Sequence, residues 1–285
     1  RLLVFSSSRL LVFSSSRMHP LLDLTFRPVV GHRGNAAHAP ENTLESFRQA
    51  VALGVDALEF DVRLTRDGEV VVFHDATVKR TTGGAGVVAA MTLDAMRRLD
   101  AGATFTTNRG SVFPYRGRGI GVSTLAEVLA AFPEMPMLIE VKVVEAARPA
   151  RDVIARAGAE LRCIAASFHP EALLPFEESG IAVSSPPASI VPMCIPALLG
   201  RRYTSLTFQA MSLPRVYRGI PVPLGALARA TEPAGVPLHV WTINDPAIAL
   251  RLWRVGVRGI LSDDPAAIMR AHAEWRARPI NRRPS

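Results

Sequence analysis

The stretch DALEFDVRLTRDGEVVVFHD, residues 56–75, decides how the chain is read. Leu58, Phe60 and Val62 alternate with Glu59, Asp61 and Arg63, the two-residue period of a β-strand. If the apolar set packs into a core, Glu59 and Asp61 point together in the opposite direction. A second apolar run, Val70 to Phe73, follows and ends in His74-Asp75. The link Arg66-Asp67-Gly68 is too short for a crossover helix, so the two runs are antiparallel. Asp67-Gly68 signals a two-residue hairpin turn. That register pairs residues whose numbers sum to 135, which sets His74 opposite Asp61. A longer loop would slip the register by a residue or two and still leave Glu59, Asp61 and His74 as neighbours. An exposed hairpin with a polar outer face explains this segment equally well, so the rest of the chain has to decide.

Around the hairpin, short apolar runs alternate with amphipathic segments. Strands are expected at 28–31, 137–141, 163–168, 181–184, 206–209, 238–243 and 259–261, with helices at 41–53, 124–132, 149–158, 170–178, 223–234, 246–255 and 265–277. Residues 187–200 are interrupted by proline and left unassigned. Residues 76–122, rich in Thr and Gly, read as an insertion or small subdomain with one helix near Leu93–Leu99. With the returning arm of the hairpin left out, eight strands are candidates for one parallel sheet. Strands separated by helices in that number predict an α/β fold, a TIM-type (β/α)8 barrel with a small insertion subdomain.

The ends of the chain differ from its body. RLLVFSSS occurs twice in tandem before Arg17-Met18, and residues 1–17 are expected to be a disordered or non-native leader. From Met18 onward 268 residues remain, close to the roughly 250 of a single barrel; the barrel is placed at 18–277 and a basic tail at 278–285. Net charge is +8, but each end carries three Arg and no acid, leaving +2 for the body. No basic run interleaved with aromatics accompanies it, so nucleic acid is not expected as a partner. No apolar stretch reaches transmembrane length. Two cysteines, Cys163 and Cys194, make neither a disulfide framework nor a metal spacing, and a cytoplasmic location is expected. The oligomeric state is not legible. With 31 Arg against two Lys, Lys79 and Lys142, each lysine is notable.

In a barrel of this kind, chemistry sits at the C-terminal ends of the strands. Those ends carry His32-Arg33, Glu59 and Asp61, Glu140 and Lys142, Ser167-Phe168, Trp241 to Asn244, and Ser262 to Asp264, with His74 returned by the hairpin. Glu59, Asp61 and Glu140 offer only oxygen donors, a set suited to a hard divalent cation such as Ca²⁺ or Mg²⁺ rather than zinc. Arg33 and Lys142 add fixed positive charge for an anion. His32 and His74 can exchange protons near neutral pH. Together these groups point to phosphoryl transfer or hydrolysis of a phosphate ester. Four other histidines, His38, His169, His239 and His272, read as ordinary loop, strand or helix residues. Asp263 and Asp264 precede Pro265 and read as caps of the last helix.

The segments GHRGNAAHAPENTLESF, EFDVRLTRDGEVVVFHD, KRTTGGAGVV, IEVK, WTIND and GVRGILSDDP, in that order, resemble the glycerophosphodiester phosphodiesterase family, over about residues 29–268. The resemblance implies a TIM-type barrel with an insertion after the His-Asp pair. It implies metal-dependent hydrolysis of small glycerophosphodiesters to glycerol 3-phosphate and an alcohol. By position, Glu59, Asp61 and Glu140 match the family's metal ligands, for Ca²⁺ or Mg²⁺ with Mn²⁺ as a further candidate. His32 and His74 match its general acid and base, and Arg33 and Lys142 its phosphate-holding residues. Glu41 falls at the PENT element, where it either neighbours the metal or caps the following helix. Phe168 and Trp241 are expected as walls for the substrate's glycerol. Residues 187–223 carry no motif of the resemblance. Two other functions remain: a lysophospholipase D-type phosphodiesterase, with Ile190, Val191, Met193, Ile195 and Leu198 lining a lipid entrance, and a non-catalytic barrel that binds a phosphodiester or a partner protein.

Overall fold

The structure, a computed structural model, describes residues 19–107 and 110–277, so the leader and the basic tail read from the sequence lie outside the described residues. The strands are β1 Val29–His32, β2 Ala57–Leu64, β3 Val70–Val72, β4 Met137–Val141, β5 Cys163–Ala166, β6 Ala182–Ser185, β7 Ala210–Pro214, β8 Val216–Tyr217, β9 Ile220–Pro221, β10 Leu238–Trp241 and β11 Gly259–Ser262. The helices are α1 Leu44–Leu53, α2 Lys79–Thr82, α3 Leu93–Arg97, α4 Leu125–Ala131, α5 Ala147–Arg156, α6 Pro187–Leu198, α7 Leu224–Thr231, α8 Pro246–Arg254 and α9 Pro265–Ala277. β1, β2, β4, β5, β6, β7, β10 and β11 pair in parallel, and the β1–β2 pairing closes them into an eight-stranded barrel. Strands buried on both sides account for the near-continuous burial of β2 and β11.

Alternation along each strand divides the barrel into an outer coat and an inner stack. Leu58, Phe60 and Val62 face outward and pack with Phe47, Leu125, Val128 and Ile154 of the surrounding helices. The inward positions Val30, Ala57, Leu138, Ile164 and Leu261 form an apolar layer inside the barrel. Two residues further along the same strands come His32, Glu59, Glu140, Ala166 and Asp263. The bottom of the stack is closed by the segment before β1: Leu21 is fully buried within the apolar layer. Its carbonyl accepts from His239 Nε2 at 2.8 Å, and His19 Nε2 lies 3.1 Å from the Arg162 carbonyl.

β3 lies antiparallel on the upper part of β2, past the point where β1 has left that edge. The pairing Val62–Val72, Arg63–Val71 and Leu64–Val70 sums to 134, one residue short of the two-residue turn expected from Asp67-Gly68. The loop is the three-residue form, with Gly68 at φ 86 in the left-handed region. The Asp67 carboxylate accepts from Thr65 Oγ1 within the turn and from the backbone N–H of Leu93 at the start of α3. In consequence Phe73, not His74, opposes Asp61, its N–H donating to the Asp61 carbonyl at 2.9 Å. His74 lies beyond the end of β3, where Arg63 Nε holds its carbonyl at 2.8 Å.

Between β3 and α4 the chain builds a small cluster of its own, Val71, Phe73, Val78, Val88, Met96, Ala101 and Val122, beside the barrel rim. Two expectations need correction, and one unassigned stretch acquires a structure. The strand placed at 206–209 is β7 at Ala210–Pro214, where Met211 and Leu213 are buried and Ser212 faces inward. The helix placed at 170–178 is two 3₁₀ turns, Pro170–Ala172 and Leu174–Phe176, each begun at or beside a proline that ends the preceding hydrogen-bond ladder. Residues 187–198, left unassigned, form α6 despite Pro192 and Pro196. These prolines stand four apart on one side of the helix, and the carbonyls they leave without a helical partner belong to Ala188 and Pro192, both exposed to water.

Candidate active site

The upper layer of the barrel surrounds a cleft of ≈ 260 Å³ lined by His32, Arg33, Glu59, His74, Glu140, Lys142, Phe168 and Trp241, among others. Glu59 and Asp61, on β2, and Glu140, on β4, bring carboxylate oxygens within 4.8 Å of one another. β2 and β4 are registered so that Asp61 stands beside Glu140, which follows from the parallel pairing of Phe60 with Ile139. Glu59 and Asp61 are almost completely buried.

The backbone of the β1–α1 loop shapes this cluster. Arg33 sits at φ 54 and directs its N–H to both the carbonyl and the Oε2 of Glu59, at 2.8 and 3.1 Å. Asn42, at φ 58, donates from Nδ2 to Asp61 Oδ2 at 2.9 Å. Non-glycine residues held at positive φ cost free energy and concentrate at functional sites. Gly34 is required where it stands: at φ 89, a Cβ there would collide with the side chain and backbone of Ser46, which itself bonds the Arg33 carbonyl. α1 is capped by Thr43, whose Oγ1 accepts from Ser46 N. Glu41 therefore does not cap the helix. Its carboxylate is bound instead by Arg33 Nη1 at 2.9 Å and by Arg80 at 2.6 and 2.8 Å.

The cations are interleaved with the acids. Lys142 Nζ lies 2.6 Å from Glu140 Oε1 and 3.3 Å from Asp61 Oδ1. Arg33 Nε lies 3.2 Å from Asp61 Oδ2, close enough for an ion pair but without the alignment of a hydrogen bond. Burial works to raise the Asp61 carboxyl, yet Lys142 and Arg33 outweigh it and hold Asp61 below its ordinary value. Glu59 is less compensated. Burial, reinforced by Asp61 and Glu140, pushes it up to about 7 against the opposing pull of His32 and Arg33. A hard cation relieves such a repulsion among oxygen donors, so the side chains present fit a divalent metal site.

Each cleft histidine is gripped by a carboxylate through Nδ1. His32 Nδ1 lies 2.6 Å from Asp263 Oδ1, and His74 Nδ1 lies 2.6 Å from Asp75 Oδ1. Both rings are thereby left with Nε2 as the nitrogen available to a substrate; that of His32 lies 3.9 Å from Glu59 Oε2. Burial opposes the charge on His32, but Glu59 and Asp263 overcome it and raise the imidazole above its ordinary value. Asp263 is fixed in turn by Asn244, which accepts from its N–H at 2.8 Å and donates to Oδ2 at 3.1 Å. On the other side Arg80 holds both Asp75 and Glu41.

Read as a helix cap in the sequence, Asp263 is the partner of His32, while Asp264 takes the capping position and accepts from Ala267 N at 3.3 Å. Asp75 and Asn244 stand in stretches noted in the sequence without a role of their own, and Asn42 and Arg80 carry no role there. The Asp beside His74 was the one visible clue among them; the others are joined to their partners only by folding. Phe168 and Trp241 pack against each other edge to face, with ring centroids 5.9 Å apart, and both line the cleft. Ser167, Ser184, Ser185 and Ser212 add hydroxyls to the lining.

With this geometry in view, a sequence model of the glycerophosphoryl diester phosphodiesterase family matches residues 32–176, half of the chain. The chain belongs to that family. It is 33% identical over 248 residues to a glycerophosphodiester phosphodiesterase of Caldanaerobacter subterraneus, covering 85% of this chain and 96% of the relative. A crystal structure of a glycerophosphodiester phosphodiesterase from Thermotoga maritima superposes with a TM-score of 0.64 at 25% identity, covering 86% of this chain and 97% of that one. A phosphodiesterase of Oleispira antarctica, solved with sn-glycerol-3-phosphate, shares the fold with a TM-score of 0.69 at 24% identity, covering 87% and 98%. Among the described residues no helix is long and apolar enough to cross a membrane.

Proposed function

We propose that this family member hydrolyses glycerophosphodiesters to glycerol 3-phosphate and an alcohol, with a divalent cation held by Glu59, Asp61 and Glu140. The observation that carries the reading is the pair of carboxylate-oriented imidazoles, His32 on Asp263 and His74 on Asp75, at one cleft with the three acids. A barrel that only bound a phosphodiester would have no use for two proton-transfer groups, each with its tautomer set by a carboxylate.

In this reaction one imidazole takes a proton from water as its oxygen bonds to phosphorus. The other delivers a proton to the departing alkoxide as the phosphorus–oxygen bond breaks. Asp263 and Asp75 keep Nδ1 protonated and stabilise each ring when it becomes imidazolium. Lys142 and Arg33, at the edge of the carboxylate cluster, supply positive charge to the phosphoryl oxygens. A bound divalent cation supplies Lewis acidity at those oxygens. Ca²⁺ and Mg²⁺ suit the all-oxygen donor set best, with Mn²⁺ a further candidate. Phe168 and Trp241 form an apolar wall for the glycerol carbons. The free thiols of Cys163 and Cys194 agree with a cytoplasmic setting.

The test is release of glycerol 3-phosphate from glycerophosphocholine and glycerophosphoethanolamine, after chelation and again with Ca²⁺, Mg²⁺ or Mn²⁺ restored. Activity that disappears on chelation and returns with one cation is the expected result. Silence with every cation, or activity indifferent to chelation, would overturn the reading.

A further inference from the structure

α6 carries no charged side chain on any of its sides, and Ser189 is its only hydroxyl. A helix apolar all round belongs inside a core, yet only one side of α6 has one. Ile190, Met193 and Ala197 are buried in the cluster that includes Leu213 and Leu227. Val191, Ile195 and Leu198, spaced as one helical face, look outward, with Ile195 70% and Leu198 64% exposed. Leu199, just past the helix, is 83% exposed. Beside this face stands the β8–β9 ribbon, a hairpin turned at Arg218-Gly219 with φ 50 and 82. Its Ile220 is 70% exposed, and a space of ≈ 440 Å³ separates it from the helix. Two apolar elements left half-packed side by side mark a surface that something covers.

The charge around this patch has one sign. Residues 179–231 hold five Arg and no Asp, Glu or Lys, in a chain that has 25 acids. Four of the five flank the patch. Arg201 and Arg202 follow the C-terminal end of α6, and Arg215 and Arg218 stand at the base and the tip of the ribbon. All four are exposed, and among the described residues none is paired with a carboxylate. Two of them lie instead over tyrosine rings, Arg201 at 5.4 Å from Tyr203 and Arg218 at 5.5 Å from Tyr217. The result is an uncharged apolar centre with cations at its rim and no acid to neutralise them.

The geometry points to this face as a docking surface for a membrane that carries anionic lipids. Val191, Ile195, Leu198 and Ile220 enter the edge of the acyl region, and Arg201, Arg202, Arg215 and Arg218 meet lipid phosphates. Charge decides the occupant. A second copy of the chain would set the same cations against one another across a two-fold contact, whereas an anionic surface opposes every one of them. An apolar face rimmed by Arg is the composition of a helix that lies in the interface plane rather than crossing it. Arg and Tyr suit that depth, since each joins an apolar body to a polar tip. Water still reaches the headgroup level, so the carbonyls of Ala188 and Pro192, left without a helical donor by Pro192 and Pro196, stay hydrated there. No residue of the catalytic cleft takes part, and the inference stands apart from the phosphodiesterase reading.

The experiment is co-sedimentation of the full chain with sucrose-loaded vesicles, one set of phosphatidylcholine alone and one of phosphatidylcholine and phosphatidylglycerol in equal parts. The expected result is binding to the anionic vesicles at least ~10-fold tighter than to the uncharged ones, weakening as salt is raised. Ile195→Asp should lower that binding at least ~10-fold by setting a carboxylate in the apolar centre. The double variant Arg215→Glu, Arg218→Glu should lower it at least as far, since each Arg is worth about five-fold in partitioning. All three positions are exposed, so melting transitions should stay close to wild type. Equal binding to the two kinds of vesicle, or binding to neither, overturns the inference. Anionic-vesicle binding unchanged in both variants also overturns it, because the contact then lies elsewhere on the chain. A wild-type dimer that Ile195→Asp dissociates, without vesicle binding, makes the face a contact between copies and overturns it as well.

Discussion

The barrel floor makes the protein sensitive to acid in a way that can be calculated. His239 points into the barrel from β10, donates from Nε2 to the Leu21 carbonyl, and is completely buried. Its ring fills the space beside Gly259, its neighbour on β11, so closely that a Cβ there would collide with Nδ1. Burial lowers its pKa from 6.5 to about 4, and burial does the same to His19 beside it. Well above pH 6.5, as at pH 8, both rings are neutral whether the chain is folded or not, so they contribute almost nothing to pH dependence there. Between pH 6.5 and 4 the unfolded chain binds protons that the folded chain refuses, and stability falls as pH falls. Linkage gives about 2 kcal/mol lost per imidazole by pH 5 and about 3 kcal/mol once both states are protonated. The variant His239→Gln keeps an N–H donor near the Leu21 carbonyl and removes the titration. Urea unfolding of both proteins at pH 8 and pH 5, in chelator, reads the effect. The wild type should lose about 2 kcal/mol more than the variant between those two pH values. Glu59, raised to about 7, shifts stability the opposite way over part of this range, but it does so in both proteins and cancels in the difference. Equal losses in the two proteins would refute the assignment of a buried neutral imidazole to this position.

The remaining predictions concern the cleft. His32→Ala and His74→Ala should each lower turnover at least ~100-fold with melting transitions close to wild type; an unaffected rate in either removes that residue from proton transfer. Asp263→Asn should lower kcat by about 10²- to 10⁴-fold with little change in KM, since it removes the group that sets the His32 tautomer and stabilises its charged form, and a change confined to KM would mean that Asp263 acts only on binding. Glu140→Gln should raise the Ca²⁺ or Mg²⁺ concentration for half-maximal activity at least ~10-fold, because a neutral amide replaces one of three anionic donors; an unchanged metal titration would take Glu140 out of the cation site.

What could be read before folding, and what could not, follows from how far each residue is from its partner along the chain. Glu59 and Asp61 share a face of one strand, so a two-residue period was enough to bring them together, and the same period joined Glu140 to Lys142. The register of the hairpin was misjudged by one because Asp67-Gly68 has two uses in a turn. The three-residue loop is held by Thr65, whose Oγ1 donates to Asp67 and accepts from Glu69 N, together with the tertiary contact of Leu93 N to Asp67. α6 was hidden by Pro192 and Pro196, whose penalty is small only because their side of the helix faces water, a fact of packing. Asp263 lies 231 residues from His32; a carboxylate just before a proline at a helix start looks like a cap, and its neighbour Asp264 is one. The plug formed by His19 and Leu21 was equally invisible, since its partners are the inner positions of strands spread along the whole barrel.

The same two-residue step that reveals the site also separates its energetics from those of the fold. At the inner positions Val30, Leu138 and Leu261 the side chains are apolar and buried, and burying each contributes about 1.5–3 kcal/mol. One pleat higher, on the same three strands, stand His32, Glu140 and Asp263, which belong to a layer where charges are partly buried and two backbone residues sit at positive φ. Parts of that upper layer oppose folding: Glu59 is held near its titration point by burial and like charge, and Arg33 and Asn42 occupy a region that L-residues rarely adopt. The lower layer, closed by Leu21, compensates. Substitutions in the two layers should therefore have separable signatures. Truncating Leu21 lowers stability and affects turnover only through the folded fraction, whereas neutralising a carboxylate in the upper layer impairs the reaction without loosening the core. Strand geometry enforces the distinction, because a residue and its neighbour two positions on share a face but stand at different depths, one inside the sealed stack and one at the mouth.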